Sequence, residues 1–157
     1  VQLNSQNELE FTPEGDKIQE KCPLYKPIIE SIQEKLDITK GSGLIIDYGD
    51  FTPHDRFGDT LQAIYQHKKV GVFEHLGAAD LTHQVDFFTL QNFLKPSVRR
   101  TFMTQSDFLK SIGFLERTQY LCEKVTQQEA TALKLAAARL LAPQEMGSLF
   151  KVLILDC

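Results

Sequence analysis

Three observations predict an α/β fold, the second half of a doubly wound sheet of the nucleotide-binding kind. Residues 44–48, LIIDY, form an apolar strand entered from a helical segment through the turn Thr39-Lys40-Gly41-Ser42-Gly43, which is half of a parallel βα repeat. Residues 150–155, FKVLIL, form a second apolar strand at the far end of the chain. A complete doubly wound sheet uses roughly 30 residues per βαβ unit and about 200 in all. The chain has 157, so its strands need neighbours that its length does not supply.

The elements follow in order. The polar opening, residues 1–22, carries a short alternating run, Leu9-Glu10-Phe11, stopped by Pro13 and Gly15. Residues 1–26 therefore read as a hairpin or edge strand with a connector, and 27–157 as the domain proper. From Pro27, suited to a first helical turn, Ile28, Ile29, Ile32 and Leu36 fall at helical spacing. The strand at 44–48 is apolar on both faces, which predicts a central strand covered by helices. Residues 49–85 keep no clean period, although His54, Asp55, Arg56, Asp59, His67, Lys68, Asp80 and His83 crowd into them. Loops of that length are usually functional, so short strands and turns are expected around a site.

Asp86 is placed to cap a helix reaching Leu94, with Phe87, Leu90, Phe93 and Leu94 as its buried stripe and Pro96 ending it. Residues 98–103 read as a strand. Thr104 or Ser106 can cap the next helix, which buries Phe108, Leu109 and Ile112 before Gly113 supplies the position after its end. The Ala- and Leu-rich run 127–141 is the strongest helix by propensity, closed by Pro143.

Composition narrows the function. Seventeen basic groups face 21 acidic ones, and the longest basic run is Arg99-Arg100, so a nucleic-acid or anionic-membrane surface is not expected. A protein or a small molecule is the expected partner. Cys22, Cys122 and Cys157 are an odd number at wide spacing, which suits a reducing compartment and neither a disulfide framework nor a zinc ribbon. No stretch approaches a membrane span and the opening lacks a signal-type apolar region, so a soluble protein is expected. The chain opens without methionine and reads as a fragment whose targeting segment lies upstream.

In an open α/β sheet, ligands sit beyond the carboxyl ends of the strands, which puts Asp47 and Tyr48 at a candidate site. Those residues either contact a substrate or brace the loop that follows. His54, His67, His75 and His83, with Asp55 or Asp80, match neither H-E-x-x-H nor a facial triad, so no metal is expected. Gly41-Ser42-Gly43 precedes its strand where a phosphate loop would follow one, and is read as a turn. No G-x-S-x-G elbow is present. His67-Lys68 reads as a solvated pair or a site, and Asp80 as a cap or a site.

One ordered set of motifs carries a resemblance: GLIIDYGD from Gly43, DTLQAIYQHK from Asp59, GAADLTHQVDF from Gly77, TQSDFLKSIGFLER from Thr104 and MGSLFKVLIL from Met146. In order and rough spacing it resembles the MidA-like family of S-adenosylmethionine-dependent methyltransferases, which includes the mitochondrial protein-arginine methyltransferase that assists respiratory complex I assembly. Lys21-Cys22-Pro23 and the helix behind it also look like the segment before the family's DYG strand. The resemblance implies the C-terminal half of a class I (Rossmann-like) methyltransferase fold, late parallel strands plus a closing antiparallel strand with helices on both faces. It implies methyl transfer from the cofactor's sulfonium to a guanidinium nitrogen by in-line displacement. Asp47, Tyr48 and Asp80 would be the catalytic candidates, and Gly49, His67, Lys68 and Thr82 the substrate-binding ones.

The cofactor implied for the full-length parent is S-adenosylmethionine, held by an N-terminal half that this chain lacks, so the chain by itself is expected to be inactive. The partners implied are that missing half and an arginine-bearing protein such as a complex I subunit. The location implied is the mitochondrial matrix, with bacterial cytoplasm as the alternative. Asp50 stands where many members carry His, and His83-Gln84 stand where many read A-H-V-D-F. A non-catalytic assembly factor or binding module built on the same fold is the competing reading.

Overall fold

The computed structural model describes residues 1–11, 22–52 and 60–157. His54, Asp55, Arg56 and Asp59 lie outside the described residues, as do Pro13, Gly15 and Lys21. In chain order the elements are β1 (Gln2–Leu3), β2 (Leu9–Glu10), α1 (Tyr25–Thr39), β3 (Ser42–Asp50), β4 (Gln62–Tyr65), β5 (Lys68–Val70), β6 (Asp80–Thr82) and β7 (Val85–Asp86). There follow α2 (Phe87–Gln91), β8 (Arg99–Thr104), α3 (Gln105–Ser111), α4 (Phe114–Cys122), α5 (Gln127–Leu141), α6 (Met146–Leu149) and β9 (Phe150–Asp156).

The main sheet has the order β7-β3-β9-β8. β9 lies antiparallel between β3 and β8, and β7 runs parallel to β3 at its carboxyl end. The mixed α/β fold expected from the sequence is therefore present, with FKVLIL as the antiparallel strand. Residues directly opposite in an antiparallel pair share a face. Gly43, Ile45 and Asp47 thus share one with Leu155, Leu153 and Lys151. That face receives α1 and α2: Ile29 and Leu36 join Phe87, Leu90, Leu94, Val98, Leu153 and Leu155 in one buried cluster. The buried amide of Gln33 ties α1 to the chain after α2, donating to the Phe93 carbonyl at 3.2 Å and accepting from the Lys95 backbone N–H.

On the opposite face the expectation for β3 fails. Leu44 is 52% and Ile46 is 42% exposed, so the strand is not covered on both sides. α3 packs on β8 and β9 and α6 on β3, β8 and β9, yet Leu44 and Ile46 stay bare, whereas Val152, further in, is fully buried.

The helices depart from the sequence in detail. α1 starts at Tyr25, two residues before Pro27, and Lys40, which follows its last residue Thr39 as the C-cap, is left-handed. Asp86 caps α2 as expected, accepting the Thr89 backbone N–H at 2.8 Å, but the helix stops at Gln91 and Phe93 and Leu94 pack from the turns beyond it. Thr104 caps α3 and Ser106 does not; Ser106 is buried within the helix. Ile112 is 61% exposed instead of buried, because α3 has ended before it and Gly113, at φ +80, turns the chain directly into α4. α5 spans the residues its composition predicted.

The opening forms a hairpin, β1 against β2. The long region after β3 contains a second sheet of order β5-β4-β6. Its first turn, Gln66-His67, has both residues left-handed, the geometry that closes a two-residue hairpin. No helix among the described residues is long and apolar enough to cross a membrane.

Candidate functional site

The carboxyl end of β3 is a polar corner. Asp47 is half-buried and its Oδ1 accepts the backbone N–H of Tyr48 at 2.8 Å. Asp50 folds back in the same manner, its Oδ1 accepting from Phe51 N–H at 2.6 Å and Thr52 N–H at 3.0 Å, an Asx-type turn that steers the chain off the sheet. In both residues Oδ2 accepts no hydrogen bond from the described residues. Tyr48 packs edge-on against Phe150 with ring centres 5.8 Å apart, which fixes the ring over the sheet. Gly49 is held by close approach: a Cβ there would lie 2.2 Å from the Val85 carbonyl oxygen and 3.0 Å from the Phe87 ring. Asp86, the register partner of Asp50 across the β3–β7 pair, adds a carboxylate that is occupied as a cap by the Thr89 backbone N–H and hydroxyl.

Lys151 was not singled out from the sequence. It stands opposite Asp47 on β9 and donates to the Ser148 carbonyl, with its Nζ 6.0 Å from the centre of the Phe51 ring. Burial pushes its ammonium below the usual lysine range, opposed by the negative charge of Asp50. The signal available was a single charge inside the apolar string FKVLIL, because a lysine in an interior strand is rare without a reason.

The other candidates stand on the second sheet. Asp80 pairs with Ile64 and Thr82 with Gln62, so these two share one face of β6 with Lys69, the other partner of Ile64. Lys68 pairs with Tyr65 and falls on the opposite face, and His67 sits in the left-handed turn beside it. Tyr65 stacks on His75, ring centres 4.0 Å apart. The structure therefore groups Asp80 with Thr82, whereas Asp47 and Tyr48 are consecutive on β3 and lie on opposite faces, Asp47 opposite Lys151 and Tyr48 against Phe150, and no hydrogen bond or ion pair joins β3 to the Asp80–Thr82 group among the described residues. They meet through the strap between them: Gln84 N–H donates to Thr60 Oγ1 at 3.0 Å, and Val85 pairs with Gly49.

The described residues do not form a cradle for S-adenosylmethionine. Such a cofactor is received at a glycine-rich turn from a strand into a helix, where free amides can approach it. Among the described residues the junctions β7 to α2 and β8 to α3 contain no glycine, and Asp86 and Thr104 each already accept one first-turn amide. Gly41 lies in the short connection from α1 to β3, whereas Ser42 and Gly43, expected in that turn, are already in β3 and paired with Asp156 and Leu155. Among the described residues no three His, Cys, Asp or Glu side chains group as metal ligands.

Comparison with known proteins agrees with this architecture. The mouse mitochondrial protein arginine methyltransferase NDUFAF7 is 34% identical over 134 residues, covering 83% of this chain and 30% of its own length. The human protein of that name is 32% identical over 134 residues, with the same coverage. The chain thus spans about a third of the length of these relatives. Among solved structures, an uncharacterized protein from Burkholderia thailandensis superposes with a TM-score of 0.64 at 25% identity, over 76% of this chain and 33% of that one. A second protein from the same organism, crystallised with S-adenosyl-homocysteine, gives 0.61 at 24% identity over 74% of this chain and 32% of that one, which speaks to the fold alone. Residues 3–103 match a family model described as "Putative S-adenosyl-L-methionine-dependent methyltransferase". With well over half of its length inside that match, and a fold that superposes on a solved relative, the chain belongs to this MidA-like methyltransferase family.

Proposed function

We propose that the chain forms the acceptor-side wall of an S-adenosylmethionine-dependent protein-arginine methyltransferase of the mitochondrial matrix, of the type that supports respiratory complex I assembly. The observation that carries this reading is the match of most of the chain, at about a third identity, to relatives named mitochondrial protein arginine methyltransferases. The polar corner supports it chemically. Asp47 keeps one carboxylate oxygen uncommitted among the described residues, beside Tyr48 and at the carboxyl end of a sheet strand. A carboxylate so placed accepts paired N–H bonds from a guanidinium and favours the charge that builds as its nitrogen attacks. Holding donor and acceptor in line supplies much of the rate in such a transfer. Asp47, Tyr48 and Asp80 take the catalytic roles, and Gly49, His67, Lys68 and Thr82 line the protein substrate. The donor side comes from the rest of the enzyme, which fits the capped helix ends. Those same capped ends favour the second reading, a binding module without catalysis.

Calorimetry of a full-length protein containing this chain separates the two. Binding of S-adenosylmethionine, with methyl transfer to arginine in mitochondrial protein, is the expected result; absence of binding removes the enzymatic reading. Asp80→Asn in that protein is expected to lower transfer at least tenfold with little change in melting temperature, because Asp80 is exposed on β6 and removing its charge forfeits a charge-assisted bond to substrate. A large drop in melting temperature with unchanged specific activity would make Asp80 structural.

A further inference from the structure

The corner at the end of β3 is rich in acid. Asp47 and Asp50 stand on β3, and Asp86 is the register partner of Asp50 on β7. Asp86 is occupied as the cap of α2, but Asp47 and Asp50 each keep one carboxylate oxygen without a hydrogen bond from the described residues. Like charges gathered at one strand end repel. Among the described elements that build the corner, β3, β7, α2, α6 and β9, the single basic side chain is Lys151. Its ammonium is anchored. Nζ donates to the Ser148 carbonyl near the end of α6, where the last carbonyls of a helix have no partner within it. α6 is itself seated on the end of α5: the Gly147 N–H donates to the Ala142 carbonyl at 3.0 Å, and a Cβ at Gly147 would overlap the Leu141 carbonyl. From that anchor Nζ lies 6.0 Å from the centre of the Phe51 ring, at the reach of a cation–π attraction, and is acted on by the charge of Asp50.

We propose that Lys151 is a positioning residue for the acceptor corner: fixed to α6, its cation holds the turn Asp50-Phe51-Thr52 in place and balances Asp47 and Asp50, so that the corner stays set for a guanidinium that Lys151 itself does not touch. Its part in methyl transfer rests on the methyltransferase reading; its hold on the turn does not. Few other charges come near it from the elements packed on β9. β3 brings Asp47 and Asp50, β8 the uncharged Thr104 as register partner, α6 no charged side chain, and α3 Lys110 and Asp107, whose carboxylate accepts the Thr104 hydroxyl. Lys151 is partly withdrawn from water, so it loses its proton at a lower pH than an exposed lysine. The hold is therefore present below that value and is lost as the pH rises through it.

Two variants of a full-length protein containing this chain test it: Lys151→Met, which removes the charge, and Lys151→Arg, which keeps it at every working pH. Two quantities are read, methyl transfer to arginine in mitochondrial protein and the exchange protection of the Phe51 and Thr52 amides, which Asp50 Oδ1 holds. At pH 7 Lys151→Met is expected to lower transfer at least tenfold and the protection of those two amides at least tenfold, with the Leu153 amide unchanged. Lys151→Arg is expected to restore most of both. On going alkaline the wild type should converge on Lys151→Met while Lys151→Arg holds, a divergence that packing of the stem alone would not produce. Transfer and protection unchanged in Lys151→Met overturn the proposal and leave Lys151 as a cap of α6. So does a wild type that stays apart from Lys151→Met at every pH, and so does a Lys151→Arg variant that keeps the wild-type melting temperature and restores neither quantity. A full-length protein that binds no S-adenosylmethionine removes the methyltransferase reading, and the protection of Phe51 and Thr52 then still decides the hold on the turn.

Discussion

Gly49 shows how tightly the corner of β3 is built. Any side chain there meets the Val85 carbonyl oxygen and the Phe87 ring, both fixed by the sheet and the buried cluster. Gly49→Ala must push β7 away or displace Phe87, and overpacking of this kind costs about 1–3 kcal/mol. Urea unfolding is expected to show that loss; an unchanged midpoint would mean that β7 gives way freely. Lys151 is the converse case, a charge brought partly out of water. Its folded-state value lies below that of the unfolded chain, so between the two the unfolded state binds more protons and stability rises with pH through that alkaline window. At neutral pH its charge is therefore a net cost. Lys151→Met should leave the melting temperature at pH 7 equal or higher, and should remove the alkaline rise expected of the wild type. A lower melting temperature at pH 7 would mean that the bond to the Ser148 carbonyl outweighs the burial.

At the scale of elements, α5 carries its own start signal. Thr126 accepts the Glu129 backbone N–H while Glu129 accepts from the Thr126 backbone N–H and hydroxyl, and this bonding holds the Glu129 carboxyl below its usual range. A depressed carboxylate contributes above its unfolded value and is lost as the pH falls through its folded one, so the cap weakens only in acid. Thr126→Ala should cost about 1 kcal/mol at neutral pH, read as a lower thermal midpoint. The helices with such local signals were legible in the sequence: Asp86 and Thr104 announced α2 and α3, and composition announced α5. α4 was not, because it buries no residue fully and opens on Gly113, which reads as an ending. The hairpin of β4 and β5 was hidden for a related reason. Its turn is Gln66-His67, which lacks the Asn-Gly, Asp-Gly or Gly-Gly pair that marks such a turn in a sequence. Asp47, Tyr48 and Gly49 were visible as a strand end, whereas Lys151 comes to the same corner only through the pairing of β3 with β9, more than a hundred residues apart.

For the whole molecule, the main sheet and the second sheet are unequal partners. The buried cluster draws on α1, α2, Leu94, Val98 and β9, and no residue of β4, β5 or β6 belongs to it. β9 is paired on both sides and holds Val152, Leu153 and Leu155 fully buried. The second sheet has three short strands, with Leu81 at 57% exposure and a turn of two left-handed residues. Regions with few buried apolar contacts open at lower free energy than the global transition. Native-state hydrogen exchange is therefore expected to place the amides of Leu153 and Leu155 at the global unfolding free energy and those of β4, β5 and β6 well below it, as one cooperative group. Equal protection of the two sheets would show that the strap through Gln84 and Val85 couples them into a single unit. The unequal outcome has a functional consequence, because Asp80, Thr82, His67 and Lys68 would then ride on an element able to move against the fixed corner of Asp47, Tyr48 and Gly49, and the two halves of the candidate site would close only when a substrate lies between them.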